Sequence, residues 1–286
     1  MKPKISKPTF IAAILVVAVV IAIEASSTAV STISATDIIQ TTQMRGNFLG
    51  RTAFVYNIIG RRAGFTSITA SNDIKEFDNA VANFPTITTA NTLEIVSTSA
   101  NDTAAGTGIR TVRVVYIDGS NNLVQSAAIP LNGVTPVAAG FTANEIIWME
   151  SASFGTPPAI AAGDIVLRVV AGPVPVEQIS TGRGKSLSAK FMVPTGYTGF
   201  LTLFRGSSIN QDQDLKLLAQ ENTFNGSLGL YHAMVGGTIA LNTSSEQSLA
   251  FIKVPALARI KASTISAGTS AAVRAETSFT VILISD

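Results

Sequence analysis

From Thr86 to the C-terminus the chain alternates apolar and polar residues with a period of two, and turn-forming residues cut the alternation into short lengths. This pattern constrains the fold more than any other feature. Successive side chains of a strand point to opposite faces, whereas an amphipathic helix needs a period near 3.6. Strands are predicted at 93–97, 109–117, 123–129, 146–150 and 165–170. The segments 104–108, 118–122, 132–133 and 162–164 separate them and are rich in Gly, Asn and Asp, which supply the conformations of tight turns. Val112, Val114 and Tyr116 fall on one face of their strand, while Arg110 and Arg113 fall on opposite faces, so at least one side meets water or a partner. Trp148, the only tryptophan, reads as core.

Gly172-Pro-Val-Pro175 reads as a linker, after which the alternation resumes. Leu187, Ala189, Phe191 and Val193 alternate with Ser188, Lys190 and Met192, and further strands are predicted at 198–205, 215–221, 227–234, 238–242, 248–254, 258–263 and 278–284. That is about the eight strands of a jelly-roll-like sandwich.

The front of the chain is different. Residues 10–23 are apolar without interruption, with Lys2, Lys4 and Lys7 before them and Glu24 behind. Phe10, Ile11, Ile14, Leu15, Val16, Val17, Val19, Val20, Ile21 and Ile23 form an apolar surface on every side of a helix, which reads as a membrane anchor rather than a buried helix of a globular domain. The 16 uncharged residues from position 8 span about 24 Å as a helix, short of the roughly 30 Å hydrocarbon core. A secretory signal peptide is the other reading of the same run. The lysines would leave the N-terminus inside and export the rest.

No acidic residue lies between Asp37 and Asp73, and Arg45, Arg51, Arg61 and Arg62 are interleaved there with Phe48, Phe54, Val55 and Ile58. One reading is a basic amphipathic surface on an anionic membrane. The other is a helix packed on the β units with its arginines in water. Ser71 or Asn72 can cap a short helix in which Ile74, Phe77, Val81 and Phe84 share a face, stopped by Pro85. The expected fold class is therefore mainly β: two β-sandwich, jelly-roll-like units (86–172 and 173–286), preceded by an N-terminal apolar transmembrane helix (1–24) and a short helical, basic stalk region (25–85).

Composition narrows the function. Charged residues make up only 13% of the chain and the net charge is +2, which gives no electrostatic footprint for nucleic acid. The absence of cysteine removes disulfides, thiolate metal sites and a thiol nucleophile together. His232 is the sole histidine, so a Ser-His-Asp triad must use it or do without, and a strand residue is the plainer reading. Gly182-Arg-Gly-Lys-Ser186 lacks the first glycine of a phosphate loop, Ile179 standing in its place, and is followed by a strand pattern rather than a helix. Gly106 and Gly108 read as tight-turn glycines rather than an anion nest. Asp212 and Asp214 are too few ligands for a calcium loop. Asn101, Asn225 and Asn242 begin glycosylation sequons, which matter only in a eukaryotic secretory lumen.

The stretch Ser99-Ala-Asn-Asp-Thr-Ala-Ala-Gly-Thr-Gly-Ile-Arg-Thr-Val-Arg-Val-Val-Tyr-Ile-Asp118, followed by Asn122, Ile129-Pro-Leu-Asn-Gly-Val-Thr-Pro-Val137 and Ala161-Ala-Gly-Asp-Ile165, resembles a β module of virion structural proteins. Proteins of this kind occur in tailed phages and large algal DNA viruses, in minor capsid, cement or spike roles. The resemblance covers about 91–170. It implies a capsid function without catalysis, with other capsid proteins, copies of itself and a lipid membrane as partners, and with no cofactor, nucleic acid or small-molecule substrate. The apolar N-terminus departs from the soluble phage relatives, and rooting in an internal viral membrane, N-terminus inward, would account for it. Two further classes stand beside this one. A pilus-like or cell-surface subunit would use the N-terminal helix as its assembly spine, although Glu24 follows the run where pilins carry a glutamate near its start. A secreted glycan-binding or hydrolytic β protein has only Trp148 for sugar stacking and no evident carboxylate pair for glycoside hydrolysis.

Overall fold

The computed structural model describes residues 52–64, 71–77, 83–170, 172, 175–221, 229–268 and 272–286. Among them the strands, in chain order, begin with β1 (Ala53–Ala63), β2 (Asn72–Asp73), β3 (Leu93–Ser97), β4 (Ile109–Ile117), β5 (Leu123–Gln125), β6 (Ile129–Pro130), β7 (Val137–Ala138), β8 (Glu145–Phe154) and β9 (Ile165–Val169). They continue with β10 (Pro175–Ile179), β11 (Lys190–Met192), β12 (Tyr197–Ile209), β13 (Gln213–Gln220), β14 (His232–Ile239), β15 (Ser244–Val254), β16 (Arg259–Ser266) and β17 (Arg274–Ser285).

Four sheets result. Two have the orders β10-β9-β3-β7 and β5-β4-β6, the latter with β8 on β4; the other two run β1-β17-β12-β15 and β11-β16-β13-β14, the latter with β2 on β16. The alternation read in the sequence explains the first pair. Leu93 and Ile95 on β3, with Ile165 and Leu167 on β9, are buried against Val112 and Val114 of β4. In the second pair, Leu201 on β12 and Phe279 and Val281 on β17 meet Leu215 and Leu217 on β13 and Ile260 on β16.

The two cores share a wall. On β4, Val112, Val114 and Tyr116 belong to the first core, while Val115 and Ile117 belong to the second. On β8, Ile146 and Met149 face the first core and Ile147 the second, with Trp148 packed beside it. The register slips between Val115, opposite Trp148, and Tyr116, opposite Ile146, so Ile147 is the extra residue of a bulge. A bulge breaks strict alternation, and here Ile147 and Trp148 both turn to the second core. Val55–Asp286 accordingly forms one compact unit.

The expected fold class needs correction in its N-terminal half. The described residues contain strands and no helix, and no helix among them is long and apolar enough to cross a membrane. The run at 10–23 lies outside the described residues; the 16 uncharged positions 8–23 that contain it fall below the roughly 20 that a span requires. In the part of the predicted short helix that is described, residues 71–77, the chain instead forms β2, whose Asn72 and Asp73 pair with Thr264 and Ser263, and a bridge between Lys75 and Ser188; Val81 lies outside the described residues. Ile74 and Phe77 are both buried, Ile74 in the second core. Tertiary pairing has overridden a local periodicity too short to specify a helix. The basic segment around Arg61 is likewise strand β1, with Tyr56, Ile58, Gly60 and Arg62 facing inward. Gly60 is required by packing, because a Cβ there would lie 2.4 Å from that of Ala189.

Candidate functional site

The segment that resembles the virion module is organised by one carboxylate. Asp102 is fully buried at the start of the Gly-rich turn. Its Oδ1 accepts hydrogen bonds from the backbone of Ile109 (2.9 Å) and Ala162 (3.0 Å), and its Oδ2 accepts from Ser97 Oγ (2.7 Å) and Gly163 N (2.9 Å). Four donors occupy the four lone-pair directions of a carboxylate. Asp102 therefore ties the end of β3, the start of β4 and the turn before β9 into one knot. Gly108 is glycine for the same reason, since its Cβ would lie 2.2 Å from Asp102 Oδ1. The Gly106 and Gly108 amides are spent on Thr103 and Asn101 carbonyls (2.8 and 3.0 Å), which leaves no anion nest there.

A second group of charges lies where the sheets of the two cores meet. Lys190 on β11 is almost fully buried, with its Nζ 2.9 Å from Glu145 on β8 and 3.8 Å from Glu177 on β10. Ser188 Oγ donates to Glu177 Oε1 at 2.7 Å. Burial is the main influence on Glu177 and pushes its carboxyl above the usual range, against the opposing pull of Lys190 and Ser188. Lys261 on β16 holds Asp73 of β2 at 2.8 Å, and Arg62 Nη1 donates to the Asp73 carbonyl at 3.1 Å. Tyr231 stands over this group, with its ring 4.3 Å from Lys261 Nζ, and burial raises its phenol. These groups are consumed in cross-links between strands, and among the described residues no set of three or more His, Asp or Glu is arranged to hold a metal ion.

The residues singled out in the sequence scatter. Arg62 is buried, and Arg61 reaches Glu276 at 3.2 Å and Glu76 at 3.7 Å, so both are engaged within the protein. Arg45 and Arg51, the anchor residues from Phe10 to Ile23 and the sequon Asn225 lie outside the described residues. Asn101 and Asn242 are exposed on turns, Asn242 with its Oδ1 accepting from Asn210 N at 3.1 Å. The Gly182–Ser186 segment is turn and irregular chain that touches β8 through a single bridge, Glu150 to Lys185, with Ser186 Oγ accepting from Met149 N at 2.9 Å. Asp212 accepts from Leu241 N (2.7 Å), Asp214 pairs with Lys216 (2.8 Å), and His232 opens β14 in an exposed position. Asp102, Glu177 and Lys190 escaped the sequence reading as a set because they are far apart in the chain and no spacing marks a buried tie.

A third feature is a concavity of about 470 Å³ on the outer face of the sheet β1-β17-β12-β15. Its floor is serine-rich and its rim carries the exposed Arg205–Glu246 pair, 2.7 Å apart.

No known protein family matches the chain. No curated protein matches it either. Among solved structures it is similar to infectious bursal disease virus, Gt strain, at 11% identity over 82% of this chain and 72% of that one, with a TM-score of 0.24. A VP2 subviral particle of the same virus gives 12% identity, 84% and 73% coverage, and a TM-score of 0.22. The tandem CBM22 domains of Xyn10C from Paenibacillus barcinonensis give 14%, 83% and 93%, and 0.22. Viral capsid proteins and a carbohydrate-binding tandem are thus both among its neighbours, at a likeness that assigns no family.

Proposed function

We propose that this chain is a non-enzymatic structural protein of a virion, a minor capsid subunit that packs against other capsid proteins and copies of itself. The observation that carries this reading is the shared wall: β4 and β8 bury side chains into both cores, so the two sandwiches have no hinge between them. A shell subunit works by holding its surfaces in fixed relation, and a doubly buried sheet cross-linked by Glu145, Lys190 and Glu177 favours that rigidity. The resemblance of residues 91–170 to a virion β module points the same way, and Asp102 gives that module's Gly-rich turn a mechanical purpose.

Antibodies raised against the purified chain would test this on particle preparations from the source. Gold label on intact or gently opened particles, with the chain present in the particle proteome at fixed stoichiometry, is the expected result. Label confined to surface filaments would instead favour the pilus-like alternative, and a reproducible hydrolase activity of the pure protein would overturn the structural reading.

A further inference from the structure

The outer face of the sheet β1-β17-β12-β15 is patterned in two rows. Cross-strand pairing places Ser278, Arg205 and Glu246 in one row and Glu276, Ser207 and Ser244 in the next. Short serines alternate with long charged side chains, so the serines form a depression and the charges its rim. The depression measures about 470 Å³, within the roughly 300–1,000 Å³ typical of small-ligand sites. Asn57 and the half-exposed Ile59, both on β1, complete the lining.

From this arrangement we infer a binding site for a neutral oligosaccharide. The charges around the depression cancel: Arg205 is paired with Glu246 at 2.7 Å and Glu276 with Arg61 at 3.2 Å. A phosphate, a sialic acid or a nucleic acid would find each guanidinium already neutralised by a carboxylate through its Nε, so the depression offers it no net positive charge. A polyol needs none, because serine hydroxyls donate and accept, and paired carboxylates keep lone pairs for vicinal hydroxyls. Ile59 offers an apolar patch to the C–H face of a sugar ring. An extended peptide suits the site less, since strand addition needs a free sheet edge. Here most of the floor, Ser278 and Ser207, lies on β17 and β12, whose backbone groups are already paired on both sides, and only Ser244 stands on the edge strand β15. The site goes beyond the capsid reading and does not depend on it.

The test uses the full-length chain and soluble neutral oligosaccharides of glucose, mannose, galactose and xylose, with acidic oligosaccharides alongside, read by ligand-observed NMR and calorimetric titration. Saturable binding of at least one neutral oligosaccharide is expected, weakened about tenfold or more by Ser207→Tyr, which fills the floor, and by Glu246→Gln, which removes a rim acceptor. Lys253→Ser, an exposed change on the same strand outside the depression, leaves it unchanged. Glu246 is exposed and its replacement isosteric, so that variant carries the test if Ser207→Tyr does not fold. No saturable binding of any neutral oligosaccharide, stronger binding of acidic ones, or binding indifferent to both variants would overturn the inference.

Discussion

Val114 and Val115 are consecutive on β4 and both are buried, yet they pack into different hydrophobic cores. Val114 lies opposite Met149 in the core shared with β3 and β9; Val115 lies opposite Trp148, which packs with Tyr56 (ring centroids 6.0 Å apart) in the core shared with β12, β13 and β17. A strand buried on both faces couples the cores mechanically and energetically. Val114→Ala and Val115→Ala should each lower stability by about 2 kcal/mol through lost burial and a residual cavity. Each should also move the whole unfolding curve by the same amount, whether followed by Trp148 fluorescence or by far-UV circular dichroism. A variant that shifted one signal and left the other in place would break the link.

Asp102 makes a sharper demand. All four of its partners are donors, so an asparagine must turn its NH2 toward at least one backbone N–H whichever way the amide sits. Asp102→Asn should cost about 3 kcal/mol, the scale of losing bonds to a buried charged acceptor. Amide exchange at Ile109, Ala162 and Gly163 should accelerate most. A loss below about 0.5 kcal/mol, typical of an uninvolved surface site, would contradict the knot described at this residue.

Lys190 stands between two carboxylates brought by different strands, so Lys190→Met leaves Glu177 and Glu145 facing each other without it. Stranding buried charges costs about 3–5 kcal/mol. Chemical denaturation near neutral pH should show a loss of that order, and acidification should recover part of it as Glu177 takes up a proton.

The wild-type protein should show a related pH dependence. Burial raises the Glu177 carboxyl above its unfolded value, and burial does the same to Glu76. The native state then binds protons more readily than the unfolded chain. The associated stability is fully present below the ordinary carboxylate range and is lost as pH rises through the raised value. Glu177→Gln removes its share of that decline, so the Tm of the variant relative to wild type should climb with pH across this interval. A difference that stays flat from acidic to neutral pH would show that Glu177 does not titrate in this way.

Much of the β architecture was legible because period-two alternation and turn residues agree locally. The predicted 93–97 and 109–117 coincide with β3 and β4, and Val112, Val114 and Tyr116 do share a face. What lay across from them was not legible. Arg110 and Arg113, on opposite faces of β4, left at least one side to water or a partner, and Arg113 is exposed, but a few residues on, its face turns to Val115 and Ile117 and meets the second core. β1 was missed because Arg62, a charged residue at an inward position, broke the apolar alternation of Tyr56 and Ile58. Its burial depends on the Asp73 carbonyl, which no local pattern announces. β10 was hidden by Pro175, which marks a linker in sequence but stands at the first residue of an edge strand, where its missing N–H is tolerated. Of the charged ties, Asp102 stood within the recognised motif, but its partners Ala162 and Gly163 are some sixty residues away. Only the fold brings them together.

The most direct test of this account is differential scanning calorimetry of the wild-type chain, with Trp148 fluorescence recorded over the same temperatures. Two cores that share β4 and β8 should melt in a single transition whose calorimetric and van't Hoff enthalpies agree, with the fluorescence midpoint coincident. Two resolved transitions, or a fluorescence change that precedes the main heat absorption, would mean that the sandwiches unfold independently and that the shared wall does not hold them as one block.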